Sequence, residues 1–229
     1  MTAPDGHDYV ADTRSSYDAM AEAYADFVRH ELDSFPVARA MLAVFAELVL
    51  AAGGGPVLDA GCGVGRICGH LGGLGLDVSG VDLSPGMLAV ARRDHPGHAY
   101  TEGSLLDLPA EDASYDGALA WYSLIHVPPA DQPRALAELH RVLRPGGHLL
   151  LAFQVGDEPS HRTDAAGIPM RLTFHRINLD AIQVLLRDAG FDVVSTTWRE
   201  REPDEKSPQG IVLARKQVTG LVEAGAGSP

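Results

Sequence analysis

Basic residues, cysteines and long hydrophobic runs are all scarce in this sequence. Of its 229 residues, 18 are Lys or Arg and 31 are Asp or Glu, so the formal net charge is −13. A strongly negative chain repels nucleic-acid phosphates and anionic lipid, so we expect neither nucleic acid nor a membrane as its partner. No uninterrupted apolar run approaches the length of a membrane-spanning helix, and the polar start of the chain is unlike a signal peptide.

The only cysteines are Cys62 and Cys68. Because Cys62 lies inside a glycine-rich turn, we expect no structural disulfide and favour a reducing, cytoplasmic location. No cysteine joins the histidines in a spacing typical of zinc ligands, so no metal site is predicted. The chain is long enough for one domain with a substantial core, and its 45% hydrophobic and 21% charged residues are typical of globular proteins.

The most informative segment covers residues 57–66, VLDAGCGVGR. A short apolar run, Asp59, three alternate glycines and a helical pattern follow one another, which predicts a strand, a tight turn and a helix. Glycine allows positive φ and close approach of a ligand, while the helix start offers free N–H groups. Asp82 ends the next apolar run roughly 20 residues later, where a carboxylate binds ribose hydroxyls. The two acids predict a nucleoside site at the edge of a parallel sheet.

This segment resembles the first motif of the class I S-adenosylmethionine-dependent methyltransferases. In that motif, two hydrophobic residues precede an acid, one further residue and a Gly-x-Gly-x-Gly turn. The dinucleotide pattern G-x-G-x-x-G is not matched, because Arg66 occupies its last glycine position. Four later segments resemble further motifs of the same family, in the family's order: 81–87, 102–109, 115–127 and 143–151.

Apolar runs of strand and helix length alternate along the chain, which predicts an α/β fold with a mostly parallel sheet and helices on both faces. The resemblance implies a Rossmann-like, doubly wound sheet of seven strands with an N-terminal helical cap. We expect one methyltransferase domain over residues 14–216, in which 14–52 form the cap. Residues 1–13 are expected to be disordered and 217–229 to be a flexible tail. Residues 156–175 lack a clear period, and we interpret them as a substrate lid.

The resemblance also implies S-adenosylmethionine as the cofactor and S-adenosylhomocysteine as its product. It places Asp59 at the methionine amino group, Asp82 at the ribose, and two tyrosines of the first helix over the methionine carboxylate. Aliphatic side chains are expected around the adenine, with Ser104 near its amino group. The predicted cofactor-binding residues are Tyr17, Tyr24, Asp59, Gly61, Cys62, Gly63, Asp82, Leu83, Met87, Ser104, Leu105 and Trp121.

The candidate general base is His126, which follows the segment that resembles the family's active-site loop. An imidazole titrates near neutral pH and can deprotonate a hydroxyl or an amine; the alternative is a histidine that only packs. His161 and His175 are two further candidates. The Asn/Asp-Pro-Pro-Tyr tetrapeptide of enzymes that methylate amide or base nitrogens is absent. We therefore predict a small organic acceptor, methylated on O, N or C, and a monomer or homodimer.

Two other functions remain open. An NAD(P)-dependent oxidoreductase would use the same strand, turn and helix, although the glycine spacing differs and a Tyr-x-x-x-Lys pair is missing. A non-methylating relative, such as a cyclase or a regulatory partner, would keep the glycine turn and bind S-adenosylmethionine without transferring its methyl group.

Overall fold

Three helices precede an alternating series of strands and helices in the computed structural model, which describes residues 8–165, 167–203 and 205–218. The helices are α1 (Tyr9–Val28), α2 (Glu31–Ser34), α3 (Pro36–Ala51), α4 (Arg66–Gly73), α5 (Pro85–Asp94), α6 (Gln132–Val142) and α7 (Leu179–Asp188). The strands are β1 (Val57–Ala60), β2 (Val78–Asp82), β3 (Ala99–Glu102), β4 (Tyr115–Trp121), β5 (Leu143–Gln154), β6 (Ser160–Ala165), β7 (Ile168–Phe174), β8 (Phe191–Arg199) and β9 (Gln209–Lys216). A 3-10 helix, Leu124–His126, follows β4.

Seven of the strands form one sheet in the order β3-β2-β1-β4-β5-β9-β8. Strand β9 is antiparallel to both of its neighbours, and the other pairs are parallel. The strand order changes direction between β1 and β4, and a ligand crevice forms beyond the carboxyl ends of strands at such a point. The predicted Rossmann-like α/β fold with a mostly parallel seven-stranded sheet is confirmed.

Apolar side chains cover both faces of this sheet. Along β4, Ala118 and Ala120 pack in the cluster that includes α6 and α7, whereas Leu119 and Trp121 belong to the cluster that includes α3 and α4. This alternation follows from the two-residue period of a strand. Burial on both faces fixes the register of β1 and β4, and hence the position of the residues at their carboxyl ends.

Helix α1 begins earlier than we expected. The Asp8 side chain accepts hydrogen bonds from the backbone N of Val10 and Ala11 at 3.0 and 3.3 Å, which caps the helix. Residues 9–13 are therefore helical, and the expectation of disorder over 1–13 was wrong for them; residues 1–7 lie outside the described residues. Tyr9 Oη also donates to Asp131 Oδ2 at 2.8 Å, which ties the first turn to the start of α6.

The segment 156–175 is a β-hairpin and not an irregular loop. Strands β6 and β7 pair antiparallel from Ser160 opposite Phe174 to Ala165 opposite Ile168, and β7 packs against α1. The alternation of apolar residues at 168, 170, 172 and 174 was a readable strand pattern, which the nearby prolines and histidines obscured. Its role as a lid stays a prediction.

The chain leaves the sheet at Lys216, the last residue of β9. Of the predicted tail over 217–229, the part 219–229 lies outside the described residues. No helix within the described ranges combines the length and the hydrophobicity needed to cross a membrane.

Packing of α3 on the sheet provides a test of this architecture. Leu42 is 0% exposed and Leu50 is 44% exposed on the same helix. We expect Leu42→Ala to lower the free energy of unfolding by about 2–5 kcal/mol, because it leaves a cavity in the core. Leu50→Ala is the matched control and should cost less than about 1 kcal/mol. Urea denaturation of both variants checks this, and equal losses would contradict the described packing.

Candidate active site

A cleft lies beyond the carboxyl ends of β1, β2 and β4, under helix α1. Its empty volume is about 940 Å³, including space open to solvent. Every predicted cofactor-binding residue lines this cleft: Tyr17, Tyr24, Asp59, Gly61, Cys62, Gly63, Asp82, Leu83, Met87, Ser104, Leu105 and Trp121. His126 lines it as well. The fold thus brings together residues that are far apart in the sequence.

The glycine turn has two structural tasks. Gly61, Gly63 and Gly65 have φ of +82°, +53° and +76°, which other residues rarely adopt. A Cβ on Gly61 would lie 2.2 Å from Ser123 Cβ, and one on Gly65 would lie 2.5 Å from Tyr100 Oη. Above Gly63, the nearest atom is Tyr24 Cε1 at 3.9 Å. Gly61 and Gly65 therefore allow close packing within the protein. Gly63 keeps this part of the cleft free of side-chain atoms.

The backbone amides of the turn are used within the protein. The N–H groups of Gly61 and Cys62 donate to the Val81 carbonyl, and Gly63 N donates to Asp82 Oδ2 at 2.8 Å. A pyrophosphate-binding turn offers such amides to its ligand. Here the amides of Gly61, Cys62 and Gly63 are occupied, so these three are not available to a ligand.

Two backbone amides fix the positions of the Asp82 carboxylate oxygens. Oδ2 accepts from Gly63 N, and Oδ1 accepts from Ser84 N at 2.9 Å. Burial raises the pKa of this carboxyl, and the backbone hydrogen bonds partly oppose that rise. A carboxylate has about four acceptor positions, so each oxygen retains capacity for one hydroxyl group. This arrangement fits a vicinal diol such as that of a ribose.

Asp59 presents an unsatisfied acceptor at the other end of the motif. Its side chain is buried, Oδ2 accepts from Cys68 Sγ at 3.4 Å, and Oδ1 has no hydrogen-bond partner within the described part of the chain. Burial raises the pKa of this carboxyl to about 7. A buried oxygen without a partner is costly, and a cationic ligand group in the cleft would satisfy it.

Arg66 also lines the cleft, and its charge is opposite to that of Asp59. We did not predict it as a site residue. It is the first residue of α4, forms an ion pair with Glu31, and its buried Nη1 has no hydrogen-bond partner among the described residues. The Arg66 guanidinium lowers the pKa of Tyr24, against the larger rise caused by burial. A cation in the first turn of a helix opposes the helix dipole. That position was the available signal in the sequence that Arg66 does not serve to stabilise the helix.

The walls of the cleft contain the predicted Ser104 and further residues that we did not predict. Ser104 Oγ accepts from Leu106 N at 3.1 Å, which fixes the loop after β3. Tyr122 has a φ of +56°, an uncommon conformation for a residue with a Cβ and one found at functional sites. The remaining unpredicted lining residues are Tyr9, Val10, Thr13, Arg14, Val64, Ile67, Ser84, Leu106, Ser123 and Val127. Tyr9, Val10 and Thr13 were missed because we expected disorder over residues 1–13.

His126 forms a hydrogen-bonded chain with α1 and β7. Its Nε2 lies 2.8 Å from Tyr17 Oη, and its Nδ1 lies 3.3 Å from the Thr173 carbonyl oxygen. The Phe174 ring packs edge-on, with centroids 4.9 Å apart. Burial lowers the pKa of His126 to about 4, so the imidazole is neutral at pH 7.

The other two histidines do not join this group, although both belong to the described residues. His161 is exposed on β6, and its Nδ1 lies 3.0 Å from Thr173 Oγ1. His175 follows β7, and its backbone N donates to the Ile125 carbonyl at 2.7 Å. Neither side chain lines the cleft. Within the described ranges, no group of three or more His, Cys, Asp or Glu side chains is arranged to hold a metal ion.

Comparison with known proteins identifies the relatives of this chain. A family model described as "Methyltransferase domain" matches residues 58–151. An O-methyltransferase of Penicillium expansum is 36% identical over 155 residues, which cover 62% of this chain and 53% of the relative. A malonyl-[acyl-carrier protein] O-methyltransferase of Serratia marcescens is 37% identical over 135 residues, or 57% of this chain and 52% of the relative. The chain thus spans about half the length of these curated relatives.

A solved structure extends the likeness beyond the matched segment. The 1,6-didemethyltoxoflavin-N1-methyltransferase of Burkholderia thailandensis, with bound 1,6-didemethyltoxoflavin and S-adenosylhomocysteine, is 27% identical with a TM-score of 0.63. The alignment covers 95% of this chain and 92% of that protein. The glycine turn, Asp82 and His126 all lie within the segment that the family model matches. The matched residues 58–151, this sheet order and these motifs are those of a class I S-adenosylmethionine-dependent methyltransferase domain.

Proposed function

We propose that the protein transfers a methyl group from S-adenosylmethionine to an oxygen atom of a small organic acceptor. The observation that supports this most directly is a pair of unsatisfied groups of opposite charge in one cleft, Asp59 Oδ1 and Arg66 Nη1. S-adenosylmethionine has an ammonium and a carboxylate group at its amino-acid end, and these complement the two side chains. The two carboxylate oxygens of Asp82 complement its ribose hydroxyls.

The same contacts argue against a nicotinamide dinucleotide. Its pyrophosphate needs free backbone amides at the turn, whereas those of Gly61, Cys62 and Gly63 are bonded to protein acceptors. A buried carboxylate such as Asp59 would also repel phosphate. The oxidoreductase alternative is therefore less compatible with this cleft than a sulfonium nucleoside.

When bound, S-adenosylmethionine supplies a methyl group that is activated by the positive charge on sulfur. The residues of this chain contribute binding, orientation and exclusion of water, and alignment of the reactants is worth about 7–11 kcal/mol in favourable cases. Met87 and Leu105 are buried and apolar, so they offer a dry surface for the adenine. Helix α1 covers the cleft, and Asp18 ties it to α5 by accepting from Ser84 Oγ and Gly86 N.

Oxygen is proposed as the methylated atom because both curated relatives are named O-methyltransferases. The structural relative is an N1-methyltransferase, so a nitrogen acceptor is the second candidate. A small acceptor, and not nucleic acid, also fits the net charge of −13. Both cysteines are free and buried, which fits the reducing cytoplasm that we propose.

Binding of S-adenosylmethionine tests the proposed cofactor site. We expect Asp82→Asn to weaken binding about tenfold to hundredfold, because one charged acceptor of the ribose hydroxyls is lost. Isothermal titration calorimetry measures this directly. Asp77→Asn is the matched control. Asp77 is exposed and immediately precedes β2, the strand that ends at Asp82, so this variant should bind like the wild type. Failure of the wild type to bind S-adenosylmethionine would overturn the proposal.

Asp59 predicts a pH dependence of the same binding. Its pKa of about 7 is raised in the free protein, and a bound ammonium group favours the ionised carboxylate and lowers that pKa. Affinity should therefore fall about tenfold as the pH drops from about 7 to about 5.5, a range below the usual pKa of the cofactor's α-amino group. In Asp59→Asn the affinity should be lower and nearly independent of pH over this range. A wild-type affinity that stays constant would show that Asp59 does not meet the cation.

A further inference from the structure

The two tyrosines of α1 have different partners in the cleft. Tyr17 and Tyr24 lie two helical turns apart, and their rings are in edge contact at 5.8 Å between centroids. Tyr24 lies beside the Arg66 guanidinium, whereas Tyr17 Oη lies 2.8 Å from His126 Nε2. From the resemblance we expected both hydroxyls at the methionine carboxylate. In the structure Tyr24 lies beside Arg66, a cation that lines the cleft. The cation that lowers the pKa of Tyr17 is Arg162, which is not among the residues that line the cleft.

The direction of the hydrogen bond between Tyr17 and His126 follows from the other imidazole nitrogen. The Thr173 carbonyl oxygen can only accept, so Nδ1 of His126 carries a proton. The neutral imidazole then has a lone pair on Nε2, and Tyr17 Oη must be the donor. The Tyr17 oxygen keeps its own acceptor capacity, and Tyr17 lines the cleft.

We propose that Tyr17 is a catalytic residue, which takes the proton of a neutral hydroxyl acceptor while its own proton passes to Nε2 of His126. This inference rests on the proposed function. The acceptor oxygen gains a methyl group and gives up one proton. Tyr17 receives that proton and loses another, so it is unchanged, and the proton ends on His126 as an imidazolium before it leaves to solvent. His126 acts through Tyr17 and positions its hydroxyl.

The protonation states of the two groups are compatible with this relay. Burial raises the pKa of Tyr17 well above its usual range, and burial lowers that of His126, so both are neutral before reaction. A weak base is sufficient, because a hydroxyl becomes strongly acidic as its oxygen forms a bond to an incoming methyl carbon. The proton therefore moves with, or after, formation of that bond.

The relay assigns a class of acceptor. A carboxylic acid is already ionised at neutral pH and needs no proton acceptor, whereas an alcohol or a phenol must lose a proton. We therefore infer an alcohol or phenol. The hairpin contributes to this specificity, since Thr173 fixes the tautomer of His126 and the Phe174 ring holds its plane.

Calorimetry with S-adenosylmethionine separates this inference from the proposed function. We expect Tyr17→Phe to bind S-adenosylmethionine within about twofold of the wild type, because the lost hydroxyl serves the acceptor. Tyr24→Phe is the matched control on the same helix, and it should bind about tenfold more weakly. If the wild type does not bind, the proposed function fails. If the wild type binds and Tyr17→Phe loses about tenfold in affinity, the inference fails and Tyr17 belongs to the cofactor site.

Transfer of labelled methyl to a panel of alcohols, phenols and carboxylic acids tests the chemistry. We expect a labelled ether from an alcohol or phenol, and a kcat about 10²–10⁴ lower in Tyr17→Phe with KM changed by less than about threefold. His126→Ala should show a similar loss that added imidazole partly restores, which a purely structural defect would not allow. Labelling of carboxylic acids alone, no labelled ether from any alcohol or phenol, or an unchanged kcat in Tyr17→Phe would each overturn the inference.

Discussion

The hydrogen bond from Gly63 N to Asp82 Oδ2 links the glycine turn after β1 to the end of β2. It removes an amide from the set that a phosphate would use, and it orients a carboxylate towards the cleft. With the bonds from Gly61 and Cys62 to Val81, it makes the turn a rigid wall. These three amides are therefore not available to a ligand, and the side chains around that wall contribute to the choice of nucleoside.

Those side chains differ in how completely their polar atoms are hydrogen-bonded. Asp82 is supported by backbone amides on both oxygens, whereas Asp59 and Arg66 each retain one buried atom without a partner within the described ranges. A folded chain tolerates such atoms only where another advantage compensates for the lost hydration. Their opposite charges on one cleft attract a zwitterion, although the whole chain has a net charge of −13. Local arrangement, and not net charge, thus determines which charged groups this cleft complements.

The local sequence was sufficient to predict the sheet, the glycine turn and the acids at the strand ends, because each depends on a few neighbouring residues. The start of α1 was missed because the polar composition of residues 1–13 suggested disorder. The Asp8 side chain caps the helix, which therefore begins at Tyr9. Arg66 was overlooked as a site residue because its unpaired atom depends on Glu31 and Tyr24, which are remote in sequence. The same holds for the hydrogen bond between Tyr17 and His126, which joins residues 109 positions apart.

Helix α1 connects the two halves of the site. Its tyrosines are two turns apart, so a single rigid helix carries one of them to Arg66 and the other to His126. Asp18, between them, bonds to the beginning of α5, which follows the Asp82 carboxylate. Any displacement of α1 would move both tyrosines and this anchor together. Displacement of α1 away from the cleft would therefore disturb the contacts at Arg66 and the hydrogen bond between Tyr17 and His126 at the same time.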